Sequence, residues 1–95
     1  MRTMDRKDYK KFIEAHKIME NTKSAPSDFR KAFQLWKFLA DEGYIRSTFY
    51  LGVCFDNGLG TTKNHNKAFK YFLKAAQDGH PAAMYNVFVM CRDGV

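Results

Sequence analysis

The sequence predicts an all-α fold, a right-handed α-α superhelix (solenoid) of about five helices. Three observations predict it. Residues 68–95 repeat residues 32–59 at an offset of 36, with identities at Ala32/Ala68, Phe33/Phe69, Ala40/Ala76, Gly43/Gly79, Val53/Val89 and Gly58/Gly94. A fixed period of that length in a short chain means stacked copies of one supersecondary unit. Between the loops, apolar residues recur at the 3–4 spacing of a helix face, with no alternation of the strand kind. Only six glycines and two prolines interrupt the chain, and the glycines fall at repeat-related places.

The first helix is expected from Met4 to about Asn21, with Tyr9, Phe12, Ile13, His16 and Met19 on one face. Residues 21–28, NTKSAPSD, read as a loop, because Pro26 lacks an N–H and cannot sit inside a helix. Ser27 or Asp28 is a candidate N-cap for the second helix, expected from about Phe29 to Asp41. Its apolar stripe is Phe29, Ala32, Phe33, Trp36, Leu39 and Ala40, and Gly43 stops it. A third helix, about Ile45 to Phe55, contains Gly52, read as a close-approach position. Residues 57–63 form a loop. Asn64 is the candidate N-cap of the fourth helix, about His65 to Gln77, with Ala68, Phe69, Phe72, Ala75 and Ala76 inward. Gly79 closes it. Pro81 suits the first turn of the fifth helix, about Ala82 to Arg92, which Gly94 ends. Shifted by the same offset, the first helix aligns with the third. The chain therefore divides into an N-terminal half-repeat (1–27), repeat one (28–63) and repeat two (64–95), two and a half units within one domain.

Composition narrows the function classes. Hydrophobic residues make up 45% of the 95, ample for a folded core. No apolar run is long enough to span a membrane, so no membrane association is expected. The charged start, MRTMDRKDYKK, is not followed by an apolar segment, so no secretory leader is expected and the cytoplasm is the expected location. Net charge is +6, with nine Lys/Arg against five Asp/Glu in the first 31 residues. Such a surface suits an acidic partner or weak nucleic-acid contact, and otherwise serves solvation. Cys54 and Cys91 occupy apolar repeat positions and read as buried free thiols; a disulfide between neighbouring helices is the alternative in an exported protein. His16, His65 and His80 are isolated from one another, and none stands at ligand spacing from a Cys, Asp or Glu. Gly58-Leu59-Gly60 follows a helix and is a turn, not a phosphate loop. No catalytic residue, cofactor or metal is expected.

The residues Leu51–Ala68 and Lys67–Val95 resemble the Sel-one-like repeat family, a branch of the tetratricopeptide-like α-solenoids. Its pattern of alanines, glycines and a Lys-Ala opening falls on Leu51, Gly52, Phe55, Gly58, Gly60, Lys67, Ala68, Ala75, Ala76, Gly79 and Ala83. The resemblance covers 32–95 well and the first 31 residues poorly. It departs at Phe88, which stands where the pattern has the glycine that Gly52 supplies, and at Asn86 and Phe38. The chain stops at Gly94-Val95, where a third unit would begin, on a segment (PAAMYNVFVM) apolar nearly all round. A solenoid end normally presents a polar face.

The resemblance implies a non-enzymatic protein–protein interaction module or adaptor, binding a protein or peptide on the concave surface of its first helices. By spacing that surface carries Lys31, Gln34, Phe38 and Asp41 in one unit and Lys67, Lys70, Lys74 and Gln77 in the next, with Leu35 and Tyr71 at its edge; Gln34, Phe38, Lys67, Lys70, Tyr71 and Lys74 are the expected partner-binding residues. Phe38 is read either as an anchor among lysines or as packed under the N-terminal helix. Met84, Tyr85 and Phe88 form the expected interface of a homo-oligomer or partner at the C-terminal helix. The alternative reading is a basic nucleic-acid-associated protein, on the strength of the charge and the Lys67/Lys70/Lys74 row; nucleic acid is the less expected partner.

Overall fold

The computed structural model describes residues 3–92. Five helices follow one another: α1 (Arg6–Glu20), α2 (Pro26–Asp41), α3 (Ile45–Asn57), α4 (His65–Gln77) and α5 (Pro81–Arg92). Each packs chiefly on its neighbours in sequence, α1 on α2, α2 on α3, α3 on α4 and α4 on α5. That is the quasi-one-dimensional packing of an α-solenoid, here a slab of 36 × 31 × 19 Å. No helix among the described residues is long and apolar enough to cross a membrane.

The helix starts follow from local chemistry. Asp5 caps α1, its Oδ1 accepting from the Asp8 N–H at 2.8 Å. Asn64 caps α4, accepting from the Lys67 N–H at 3.0 Å. α2 begins earlier than expected, at Pro26, with Ala25 as its N-cap. Pro26 occupies the first helical position, where a missing N–H removes no intrahelical bond. Asp28 is therefore not the cap. It lies one turn in and reaches back, its Oδ2 accepting from the Ala25 N–H at 2.9 Å. α5 likewise begins one residue early, on Pro81. His80 caps it, its Nδ1 accepting from the Ala83 N–H at 3.2 Å. The expected stop at Gly94 lies outside the described residues.

Trp36, Leu39, Leu51, Cys54 and Phe72 are fully buried, together with the repeat-mate alanines Ala32 and Ala68. Aromatic rings join the units. Trp36 stacks on Tyr50 at 4.6 Å, Phe12 meets Trp36 edge-on at 5.1 Å, and Phe55 stacks on Tyr71 at 5.6 Å. Gly52 is a close-approach position, as expected of a glycine inside a helix. A Cβ there would stand 2.8 Å from two ring carbons of Phe72 on α4. Gly60 is the other such position: with φ +73° it brings the α3–α4 loop against the backbone of Phe29, leaving no room for a side chain.

Two core expectations need correction. On α1 the buried residues are Asp8, Phe12 and Ala15, whereas Tyr9 is 56% exposed. Asp8 is buried because its Oδ2 accepts from the Tyr44 hydroxyl at 2.6 Å, tying α1 to the start of α3. Cys54 is buried as expected, and burial pushes its thiol up to about 12. Cys91 is free but exposed, on a face of α5 turned away from the described core.

Candidate partner-binding surface

α2 and α4 are the first helices of the two units, and their outward rows contain the residues expected to meet a partner. Gln34, Lys67, Lys70 and Lys74 are exposed and Tyr71 is half-buried. Phe38 is 46% exposed, and the Lys11 ammonium of α1 lies 5.0 Å from its ring centre. The ring is thus at the seam of α1 and α2, partly covered and partly open. Tyr71 and Lys67 are committed to the molecule itself. Tyr71 stacks on Phe55, and the Lys67 ammonium sits 5.4 Å from the centre of the same ring. Lys31 is committed too: it pairs with Glu14 across α1 and α2, and that hydrogen bond holds its ammonium above the ordinary lysine range. Of the six expected partner-binding residues, Gln34, Phe38, Lys70 and Lys74 keep a side-chain face open to another molecule.

A second surface lies on α5. Met84, Tyr85 and Phe88 are 50%, 68% and 62% exposed, and the Arg92 guanidinium stands 5.9 Å from the Phe88 ring centre. The three apolar side chains occupy one helix face, since residues three and four apart are neighbours.

A cleft of about 660 Å³ opens between the starts of α1, α3 and α5, lined by Met4, Tyr9, Phe12, Tyr44, Arg46 and His80 among others. The Arg46 guanidinium covers the Phe12 ring at 4.6 Å. His80 stacks on Phe49 at 4.6 Å, and its imidazole is held below the usual histidine range, by burial first and by the Arg46 charge second. Residue-by-residue reading missed this cleft. A signal for it was present: Tyr44 and His80, both in its lining, are 36 apart and each stands just before a second-type helix.

The histidines are less isolated than their sequence spacing implied. His65 Nδ1 lies 2.9 Å from Asp56 Oδ1 across the α3–α4 loop, and His16 Nδ1 lies 3.3 Å from Glu20 Oε1 one turn along α1. The loop doubles back and brings residues nine apart together. Among the described residues no three His, Cys, Asp or Glu side chains gather as a metal site would require.

The Sel1 repeat family model matches residues 23–44 and 45–80. Protein SHC1 of Saccharomyces cerevisiae is 38% identical over 66 residues, covering 70% of this chain and 13% of that protein. Chitin synthase regulator SKT5 of the same yeast is 36% identical over 58 residues, 61% of this chain and 8% of its own. DAP3-binding cell death enhancer 1 of Rattus norvegicus is 36% identical over 62 residues, 65% of this chain and 12% of its own. The chain thus spans between 8% and 13% of the length of these relatives. No solved structure matches the chain.

Proposed function

The chain belongs to the Sel1 repeat family, and from that premise we propose that it is a non-catalytic protein-interaction module, an adaptor whose partner docks on the surface of α2 and α4. The half-open Phe38 ring carries the reading. An exposed aromatic side chain supplies apolar area at low entropic cost, and the Lys11 ammonium beside it and the exposed Lys70 and Lys74 of α4 supply charge to orient a partner. The surrounding charge favours a protein or peptide with an acidic stretch. Relatives named as a chitin synthase regulator and as a DAP3-binding protein support an adaptor role.

The test is affinity capture from the source organism, followed by mass spectrometry, with wild type beside Phe38→Ala and a Lys70→Glu/Lys74→Glu pair. The expected result is a discrete partner held by wild type and lost from both variants, with their melting temperatures unchanged. Capture that is indifferent to all three residues removes the reading.

The net charge of +6 motivates the second reading, nucleic-acid association. Against it, Lys31 and Lys67 are engaged within the molecule, by Glu14 and by the Phe55 ring. Salt-titrated anisotropy with labelled RNA and DNA decides: the adaptor reading expects no binding at low salt, where phosphate contacts are strongest.

A further inference from the structure

Three elements of the fold build the cleft at the helix starts: α1, the α2–α3 turn and the α4–α5 turn. Its walls are mostly apolar, from Met4, Phe12, Ile45, Pro81 and the ring of Tyr9. Its 660 Å³ falls within the roughly 300–1,000 Å³ of small binding sites. One cation is set in it. The exposed Arg46 guanidinium stands over the Phe12 ring at 4.6 Å, and among the described residues it pairs with no carboxylate. Held over a ring, a guanidinium keeps its N–H fork for a carboxylate from elsewhere. His80 beside it is held below the usual histidine range, so Arg46 is the charge of the cleft at neutral pH. The one carboxylate of the lining, Asp78, is exposed on the α4–α5 turn and forms no ion pair with Arg46. The cleft continues past Tyr9. The same ring borders a groove of about 620 Å³ along α1, with Arg6, Lys10 and Lys17 around Ile13 and Glu14. Glu14 is taken by Lys31, whereas the three cations have no ion pair among the described residues.

We infer that the cleft and the α1 groove together hold an extended acidic segment of a partner protein, with one apolar side chain seated in the cleft, its neighbouring carboxylate on Arg46, and further carboxylates along Arg6, Lys10 and Lys17. This site is separate from the α2–α4 row and goes beyond the reading of that row. Charge complementarity selects the occupant. A preceding first-type helix does not suit the groove. On α3 the side turned to its own first helix carries Tyr50, which stacks on Trp36 at 4.6 Å, and the repeat mates of Tyr50 and Val53 on α1 are Glu14 and Lys17. A helix packed there would bury those charges, which is costly. A second copy brings its own charge of +6, and its one pair of adjacent carboxylates, Asp41-Glu42, stands next to Gly43 in the wall of the cleft itself. A nucleic acid would meet the carboxylates of Asp78 and Glu14 within the run of cations that its phosphates require.

The experiment titrates the ¹⁵N-labelled full chain with an acetylated and amidated peptide, Gly-Glu-Asp-Phe-Glu-Asp-Gly. Two control peptides have Ala in place of Phe, or Gln and Asn in place of the acids. The acidic Phe peptide is expected to shift the amide signals of Gly43, Arg46 and Gly79 together with those of Lys10 and Lys17, and to bind about tenfold more tightly than either control. Arg46→Gln, with circular dichroism checking its helix content, should weaken binding about tenfold, and Arg46→Lys, which keeps the charge without the fork, by less. Absence of binding to the wild-type chain, equal affinities for the three peptides, or an affinity unchanged by Arg46→Gln and Arg46→Lys overturns the inference. So does an oligouridylate that displaces the peptide at equal concentration, or a wild-type dimer that closes the cleft. Shifts confined to the α2–α4 row around Gln34, Phe38 and Lys74 also overturn it, while leaving the adaptor reading standing.

Discussion

Single residues carry opposite lessons at two repeat-related sites. Ser47 is fully buried and its hydroxyl meets no hydrogen-bond partner among the described residues, while its repeat mate Ala83 fills the same place without a polar atom. A buried unsatisfied hydroxyl costs about 1–3 kcal/mol, and serine is also a weaker helix former than alanine. Ser47→Ala is expected to stabilise the protein by about 1 kcal/mol, read as a melting temperature higher by roughly 5 °C; a lower one contradicts the account of that site. Gly52→Ala should do the reverse. Helix propensity alone favours alanine by about 1 kcal/mol. The new methyl would meet the ring of Phe72, which is 1% exposed and hemmed in. Overpacking of that kind costs about 1–3 kcal/mol, so urea titration should show a net loss. The role of Gly52 was legible in the sequence because a glycine inside a helix costs stability and so points to a close approach. The orphan hydroxyl of Ser47 was not, because burial of a small polar residue follows from its neighbours.

At the scale of elements, two contacts hold second-type helices at their starts. The Tyr44 hydroxyl reaches the buried Asp8 carboxylate and ties α1 to α3. Tyr44→Phe leaves that carboxylate buried without its donor and should cost about 2 kcal/mol. A double-mutant cycle with Asp8→Ala should return a coupling above about 1 kcal/mol, whereas additive effects would show the contact to be idle. His80 caps α5 through an unprotonated Nδ1 and stacks on Phe49. Its folded pKa is lowered from the ordinary 6.5. The unfolded chain therefore binds a proton first as the pH drops, and stability rises with pH through that window. The contribution is full above pH 6.5 and fades as the pH falls through the lowered value. His80→Asn, which can still cap, should flatten the fall in denaturation midpoint between neutral and mildly acidic pH; an unchanged slope contradicts the assignment. Helix existence and order were readable from periodicity and the 36-residue offset, and the limits of α4 agree with the pattern. The start of α2 was misplaced because Pro26 reads equally as a loop residue and as a first helical residue. The burial of Cys91 was misplaced because α5 is apolar nearly all round, so its pattern does not tell the packed face from the open one.

For the whole molecule, the two ends differ in kind. α1 turns Arg6, Lys7, Lys10, Glu14 and Lys17 to solvent, a polar end. α5 turns Met84, Tyr85 and Phe88 outward, an apolar one. Between them the α2–α4 row offers Gln34, Phe38, Lys70 and Lys74. The repeat made the architecture legible and placed this row. It did not reveal that Lys31 and Lys67 are spent on Glu14 and Phe55, since both contacts cross between helices. Nor did it reveal the cleft, whose walls come from three helix starts far apart in the chain. Site-specific photocrosslinking in an extract of the source organism tests the adaptor reading most directly, with the reactive group placed at Gln34, at Lys74 and, as controls, at the exposed Glu20 and Asn57. The account predicts that Gln34 and Lys74 capture one discrete protein and that the controls do not. Capture of nucleic acid at Lys74, or of the same protein from Glu20 and Asn57 alone, would contradict it.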